Sequence, residues 1–289
     1  MKQNKYLTLL ATTLLLAGCG GGSKQPKVSA EKAEEVCEKI YIGAELEENW
    51  PEMPDAYSLN YKDEIVEKEK IGKEVVGFRA SHISKAYYSK SKQMLYQETV
   101  DVEESDEGSF EFKTQAWIVD EGTKLVAYMA ITQDGETLYG TETTDEIEFE
   151  EFAANQFYSC NVEMTYNFLE GAELFFSEET PNIEAPEGCK TSYKYYYGSK
   201  NDQSVEIQEK LVLSAKNVDI DGTKINGEDS VESKLVIEDY LVKSFFMESS
   251  GEMKAVDGSN EMEETETESY TYSSKCGSIP TLNKNNWKE

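Results

Sequence analysis

The strongest constraint on this chain is an apolar–polar period of two that sets in at Ala56 and runs, with one long break, to Ser274. Tyr57, Leu59 and Tyr61 alternate with Ser58, Asn60 and Lys62. Phe110, Phe112, Thr114, Ala116 and Ile118 take one side of a second stretch, with Glu111, Lys113 and Gln115 on the other. Leu125, Ala127, Met129 and Ile131 repeat the pattern within 124–132. Successive side chains of a strand point to opposite faces, so this alternation specifies half-buried antiparallel strands. Residues 73–88 and 94–102 read as further strands, with turns at 89–92, 103–108 and 121–122. Asp134-Gly135 is the clearest hairpin signal, because both residues accept the positive φ of a type I′ turn. Residues 136–139 then return. Period two resumes at Ser192, with Val205, Ile207, Leu211 and Leu213 on one face. A turn-rich stretch follows at 219–227, then long strands at 233–249 and 262–274.

Two segments have helical spacing instead. In 29–43, Ala33, Val36, Cys37 and Ile40 recur every three or four residues, Ser29 can cap the start and Gly43 can close the end. Residues 44–54 read as a loop, with Trp50 as a packing plug. The long break in the alternation is the second segment. Phe149, Ala153, Phe157, Cys160, Met164, Phe168, Ala172 and Phe175 form the apolar stripe of a long amphipathic helix, which Gly171 can interrupt. The expected class is α+β: an antiparallel β-sheet carrying a long amphipathic helix on its apolar face, plus a short N-terminal helix, in one domain over 29–289. The stripe has two readings. It is packed core, or Phe149, Phe157, Met164, Phe168 and Phe175 line the face of an apolar ligand site.

The N-terminus has a different character. Lys2 and Lys5 precede an apolar run at 6–16 that is too short to span a bilayer, which takes about 20 residues. Leu16-Ala17-Gly18-Cys19 follows and resembles the bacterial lipoprotein signal at every position. The resemblance implies that residues 1–18 are removed as a signal peptide and that Cys19 carries diacylglycerol as the new N-terminus. An ordinary secretory signal with a cut beside a cysteine is the alternative. Residues 19–28, glycine-rich at the start, read as a flexible tether. The expected location is the extracytoplasmic face of the bacterial cell membrane, lipid-anchored rather than spanning.

Element order carries a second resemblance. Tether, short helix, meander, long helix and more strands lead into Tyr270-Thr271-Tyr272-Ser273-Ser274-Lys275 and Ile279-Pro280. This order is similar to that of the half-barrel lipoproteins like LolA and the lipid-carrying surface lipoproteins related to it. The resemblance implies a curved sheet wrapped around its helices, and a hydrophobic cavity between them that holds acyl chains.

Composition excludes several functions. The net charge is −29, and loss of Lys2 and Lys5 takes it to −31. Nucleic-acid binding needs clustered cations, so no nucleic-acid partner is expected. Anionic lipid would repel such a body, which leaves membrane attachment to the acyl group. Arg79 is the only arginine and His82 the only histidine. A Ser–His–acid site would need His82, which sits in a strand-like stretch without a G-x-S-x-G motif. Among 57 acidic residues, no carboxylate pair stands out as glycosidase-like. Asp219-Ile220-Asp221-Gly222 resembles a calcium loop only loosely, with glycine at the fourth place rather than the sixth. No zinc-like spacing or phosphate-cradling glycine loop occurs, so no enzyme activity, metal or cofactor is expected. Cys37, Cys160, Cys189 and Cys276 suit two disulfides in any of three connectivities, or serve as buried thiols.

Two functions remain. One is a carrier or sensor of a lipid or other apolar ligand, held between sheet and helix. The other is a cell-surface interaction or scaffold lipoprotein with no small-molecule cavity, its protein partner unidentified.

Overall fold

The structure, a computed structural model, describes residues 24–45, 50–122, 124–144, 147–172, 174–183, 187–220 and 223–287. The expected signal peptide and Cys19 lie outside the described residues.

All strands belong to one antiparallel sheet. β1 (Ala56–Ile71), β2 (Glu74–Ser89), β3 (Met94–Ser105), β4 (Gly108–Asp120), β5 (Leu125–Gln133) and β6 (Glu136–Thr144) form one meander. β7 (Cys189–Asn201), β8 (Ser204–Ile220), β9 (Thr223–Glu238), β10 (Leu241–Ala255) and β11 (Asn260–Ser273) form another. The first strand and the last pair along their length, from Ser58↔Ser273 to Ile71↔Asn260. The order is therefore β6-β5-β4-β3-β2-β1-β11-β10-β9-β8-β7. Flat, eleven strands would spread over about 48 Å. Yet one buried cluster joins Leu125 of β5 to Tyr197 of β7 through both helical segments. The sheet is an open half-barrel curled round its helices.

The first helix, α1 (Ala30–Glu45), buries Ala33, Val36 and Ile40. The connection between the two sheet edges is helical from Phe149 to Gly171. It consists of α2 (Phe149–Phe157), a π-helical turn (Tyr158–Glu163) and α3 (Met164–Gly171). The π turn has an identifiable cause. Asn161 is buried, donates from Nδ2 to the Phe157 carbonyl at 2.9 Å, and accepts from the Tyr270 hydroxyl at 3.2 Å. A side chain that bonds a carbonyl one turn back competes with the regular ladder. One turn on, Thr165 Oγ1 donates to the Asn161 carbonyl at 2.8 Å. It also accepts from the Val242 amide at 3.0 Å, beside a bulge in β10.

Four features depart from the sequence reading. The stretch 233–249 is two strands rather than one. They meet at Asp239-Tyr240, with φ of 55° and 62°, so a tight turn lies where no glycine marks it. Gly43 does not end α1, which runs to Glu45. A Cβ there would come within 2.6 Å of the Tyr240 ring, so Gly43 makes room for that turn. The long helix stops at Gly171, because Ala172 is extended, and Phe175 therefore lies beyond it. Residues 24–28, read as tether, lie along β7. Lys27 bridges Gly198, the Val28 amide donates to the Tyr197 carbonyl at 3.0 Å and the Ser199 amide to the Pro26 carbonyl at 2.9 Å. An edge strand offers unpaired backbone groups, and this segment takes them.

The expected disulfides are absent. Cys37, Cys160, Cys189 and Cys276 are all free. They sit on four separate elements: Cys37 in α1, Cys160 in the π turn, Cys189 opening β7 and Cys276 past the end of β11, where its thiol donates to the Gly277 carbonyl. Burial pushes the Cys37 thiol up to about 12, so it packs as a small apolar side chain.

A smaller core lies on the other face of the sheet. Tyr96, Trp117, Val126, Tyr128 and Ala130 are covered there by Ile279, Leu282 and Trp287 of the C-terminal segment. The Trp287 indole donates to the Met129 carbonyl at 2.9 Å, and the Trp117 indole to the Pro280 carbonyl at 3.0 Å.

Candidate functional site

Three of the five residues named as an apolar ligand face are core. Phe149, Phe157 and Phe168 are buried, and Met164 is partly buried against the same cluster. Their rings meet strand aromatics. Phe157 lies 5.6 Å from Tyr57, and Phe168 lies 4.6 Å from Phe245 and 5.2 Å from Tyr270, centroid to centroid. These spacings are those of packed aromatic pairs. Phe175 is apart from them, edge-on to Tyr193 at 5.8 Å.

The segment carrying Phe175 is held by a buried carboxylate. Glu209 of β8 accepts from the amides of Phe175 at 2.8 Å and Phe176 at 3.0 Å. It also accepts from the hydroxyls of Tyr193, at 2.8 Å, and Tyr197. Burial first, then the bond to Glu209, raises the Tyr197 phenol above its ordinary value. Four donors on one carboxylate make this an anchor for the chain as it leaves the helix.

Two of the surface clefts lie outside the interface between sheet and helix. One, of about 400 Å³, is lined by Ser29, Glu31, Glu34, Phe176 and Glu178. The other, of about 540 Å³, is lined by Lys190, Lys216, Glu228, Glu252 and Lys254, with small residues between them.

The helices cover only one end of the sheet. Beyond them β1, β2, β3, β9, β10 and β11 continue as a single layer, whose outer positions, Ala255 apart, are half-buried to exposed. Strand register continues the helix-facing rows outward. Tyr57 and Leu59 lead on β1 to Tyr61, Asp63 and Ile65. Tyr272 and Tyr270 lead on β11 to Glu268 and Glu266, and Tyr88 leads on β2 to His82. One row across the sheet runs Met247, Glu268, Asp63, His82, Asp101, Phe112. His82 Nδ1 lies 2.6 Å from Asp101 Oδ1. Asp63 and Glu268 face each other directly, an unfavourable pairing of like charges. One Asp63 carboxylate oxygen is buried without a hydrogen-bond partner. Burial raises the Glu268 carboxyl above its ordinary value, and Asp63 and Glu266 add to the shift against a bond from Tyr61.

The other face is balanced. Arg79 Nε donates to Glu64 at 2.8 Å, and Lys113 lies 2.8 Å and Lys85 3.3 Å from Glu98. Burial works to raise Glu64 and Glu98, but Lys62 and Arg79 at Glu64, and Lys113, the Tyr96 hydroxyl and Lys85 at Glu98, outweigh it and hold both carboxyls low. Glu252, Glu261 and Glu263 crowd together on that face, where Lys254 pairs with Glu252 and Glu261, Lys70 with Glu261 and Lys68 with Glu263. The cluster is thus neutralised by the protein's own side chains. Sequence reasoning missed the row through Asp63 and His82. Alternation places each member on its face, but only the strand order puts them side by side.

Among the described residues no helix is long and apolar enough to cross a membrane. No protein-family model matches the chain, and no curated protein matches it. Among solved structures, the translocator domain of the autotransporter NalP from Neisseria meningitidis aligns over 84% of this chain and 96% of its own at 9% identity. The TM-score is 0.15, too low for the likeness to carry any argument.

Proposed function

We propose that this chain is a lipid-anchored interaction protein of the extracytoplasmic face of the bacterial cell membrane, which binds a macromolecule through the open part of its sheet. The observation that carries this reading is the division of the helix-facing side of the sheet. Where helices lie on it, Phe157 and Phe168 fill the interface against Tyr57, Phe245 and Tyr270. Where they do not, several strands continue uncovered. The filled interface favours an interaction protein over a carrier that shelters acyl chains beneath the helix. Attachment rests on the lipobox at Cys19 and on a body charge near −31, which anionic lipid repels.

Native mass spectrometry of the Cys19→Ala chain tests the reading. The expected mass is that of the polypeptide alone. One lipid molecule retained per chain would overturn it in favour of the carrier. Fractionation tests the anchor: Cys19→Ala should leave the membrane fraction, and its retention there would refute attachment by the acyl group alone.

A further inference from the structure

The uncovered part of the helix-facing side has a composition that its reverse side lacks. By alternation and register, no lysine or arginine occupies that face in β1, β2, β3, β4, β5, β9 or β11, or in β10 beyond its bulge. Acids do occupy it, among them Asp63, Glu67, Asp101, Glu264, Glu266 and Glu268. Among the described residues none of the six pairs with a lysine or arginine, and Asp101 meets only His82. Away from the β10 bulge, where Lys243 lies over the Tyr272 ring, cations of the same strands such as Lys62, Lys68, Arg79, Lys85, Lys113 and Lys254 point to the reverse side, where they form ion pairs. Independently, the large apolar side chains left exposed concentrate on the acidic face. Ile71, Val76, Phe110, Ile131, Met253 and Met262 are there, against Val66 and Val75 on the reverse of the same strands.

An exposed apolar patch with one sign of charge selects its partner. From Asp63 to Ile71 the face is about 27 Å long and, across β9, β10, β11, β1 and β2, about 19 Å wide, with β3 and β4 adding about 10 Å of width over about 14 Å of that length. Its area of about 650 Å² approaches the roughly 800 Å² that one partner contributes to a stable protein–protein interface. That is too broad for a small cation. A second copy of this chain carries a net charge of −29 and is repelled, as are nucleic acid and anionic lipid. The geometry points to a docking surface for a basic amphipathic polypeptide segment, whose lysines or arginines meet the acidic row while its apolar side chains cover Val76, Phe110 and Met262. This partner class rests on the reading of the chain as an interaction protein.

The test uses the full chain carrying Cys19→Ala. Probes are three peptides of about 18 residues: lysine and leucine at amphipathic spacing, glutamate and leucine at the same spacing, and lysine alone. Binding is followed by calorimetry at about 50 and 200 mM salt. The lysine–leucine peptide should bind saturably and more weakly at the higher salt, with the other two at least about tenfold weaker. Asp63→Asn/Glu264→Gln/Glu266→Gln/Glu268→Gln should weaken binding about tenfold or more. Neutralising four acids on the reverse side, Glu104→Gln/Glu111→Gln/Glu228→Gln/Glu248→Gln, should change it less than about threefold. Val76→Ser/Phe110→Ser/Met262→Ser, at exposed positions that leave the core intact, should also weaken it about tenfold. Equal loss in both charge variants, equal binding of the all-lysine peptide, or no saturable binding would overturn the proposal. Tighter binding to phosphatidylcholine vesicles than to the peptide would replace it with a membrane surface. A lipid found by mass spectrometry would refute the filled interface and leave this titration unaffected, so the two failures are distinguishable.

Discussion

Phe157→Ala separates a packed core from a ligand cavity. Phe157 is fully buried and packs against Tyr57 at 5.6 Å, Tyr158 at 5.5 Å and Tyr272 at 6.4 Å. Truncating a buried phenylalanine costs about 3–5 kcal/mol, from lost transfer free energy and the cavity left behind. For a chain of this size each kcal/mol moves the melting midpoint by about 2–4 °C, so a fall of roughly 10 °C is expected. A ring that bordered an existing void would already lack partner atoms on that side and would lose much less. Phe175→Ala is the internal comparison. That ring lies outside the buried cluster, with Tyr193 as its aromatic neighbour, and its loss should cost on the order of 1 kcal/mol. Urea denaturation of both variants measures the difference, with the slope checked for constancy. A cost below about 1.5 kcal/mol for Phe157→Ala, or one equal to that of Phe175→Ala, would refute the filled interface.

Three further outcomes are expected. Glu209→Leu strands two amide donors and two phenols, each costing about 1–3 kcal/mol. Faster amide exchange at Phe175 and Phe176 should accompany its loss of stability, and unchanged exchange there would show that Glu209 is not the anchor. Trp287→Ala removes edge contacts with Trp117, Tyr128 and Tyr139, and should free the C-terminal segment to early proteolysis while leaving the helix-side core intact. Equal cleavage rates in variant and parent would contradict it. The third concerns pH. Because the folded Glu268 carboxyl titrates above its ordinary value of 4.5, the folded state holds the proton more tightly and ionisation there opposes folding. Its cost is absent below the ordinary value, grows as pH rises through the shifted one, and is full at neutrality. Glu268→Gln should therefore raise the melting midpoint at pH 7 more than at pH 4, and an equal gain at both would contradict the shift.

Much of the fold was legible because each strand carries its own period. Tyr57, Leu59 and Tyr61 identify the buried face of β1 with no knowledge of neighbours, and the Phe/Met stripe from Phe149 marks the one long helix. What escaped depends on partners distant in sequence. Asp239-Tyr240 turns the chain without a glycine, with Gly43 leaving room beside the Tyr240 ring. Residues 24–28 look like tether until the open edge of β7 supplies bonds for them. Four cysteines in an exported-looking chain suggest pairing, but placement on four elements leaves each a free thiol.

By itself, then, the sequence determined which side of each strand is apolar, acidic or basic, since a period of two acts within a strand. It also carries Leu16-Ala17-Gly18-Cys19, the stretch that resembles a lipoprotein signal. Only the tertiary structure decided that β1 pairs with β11 and that the helices cover one end of the sheet. Asp63, Glu268 and His82 become neighbours through strand order alone. Pairing between strands some 200 residues apart in sequence follows from burying one common core, and no local pattern encodes it.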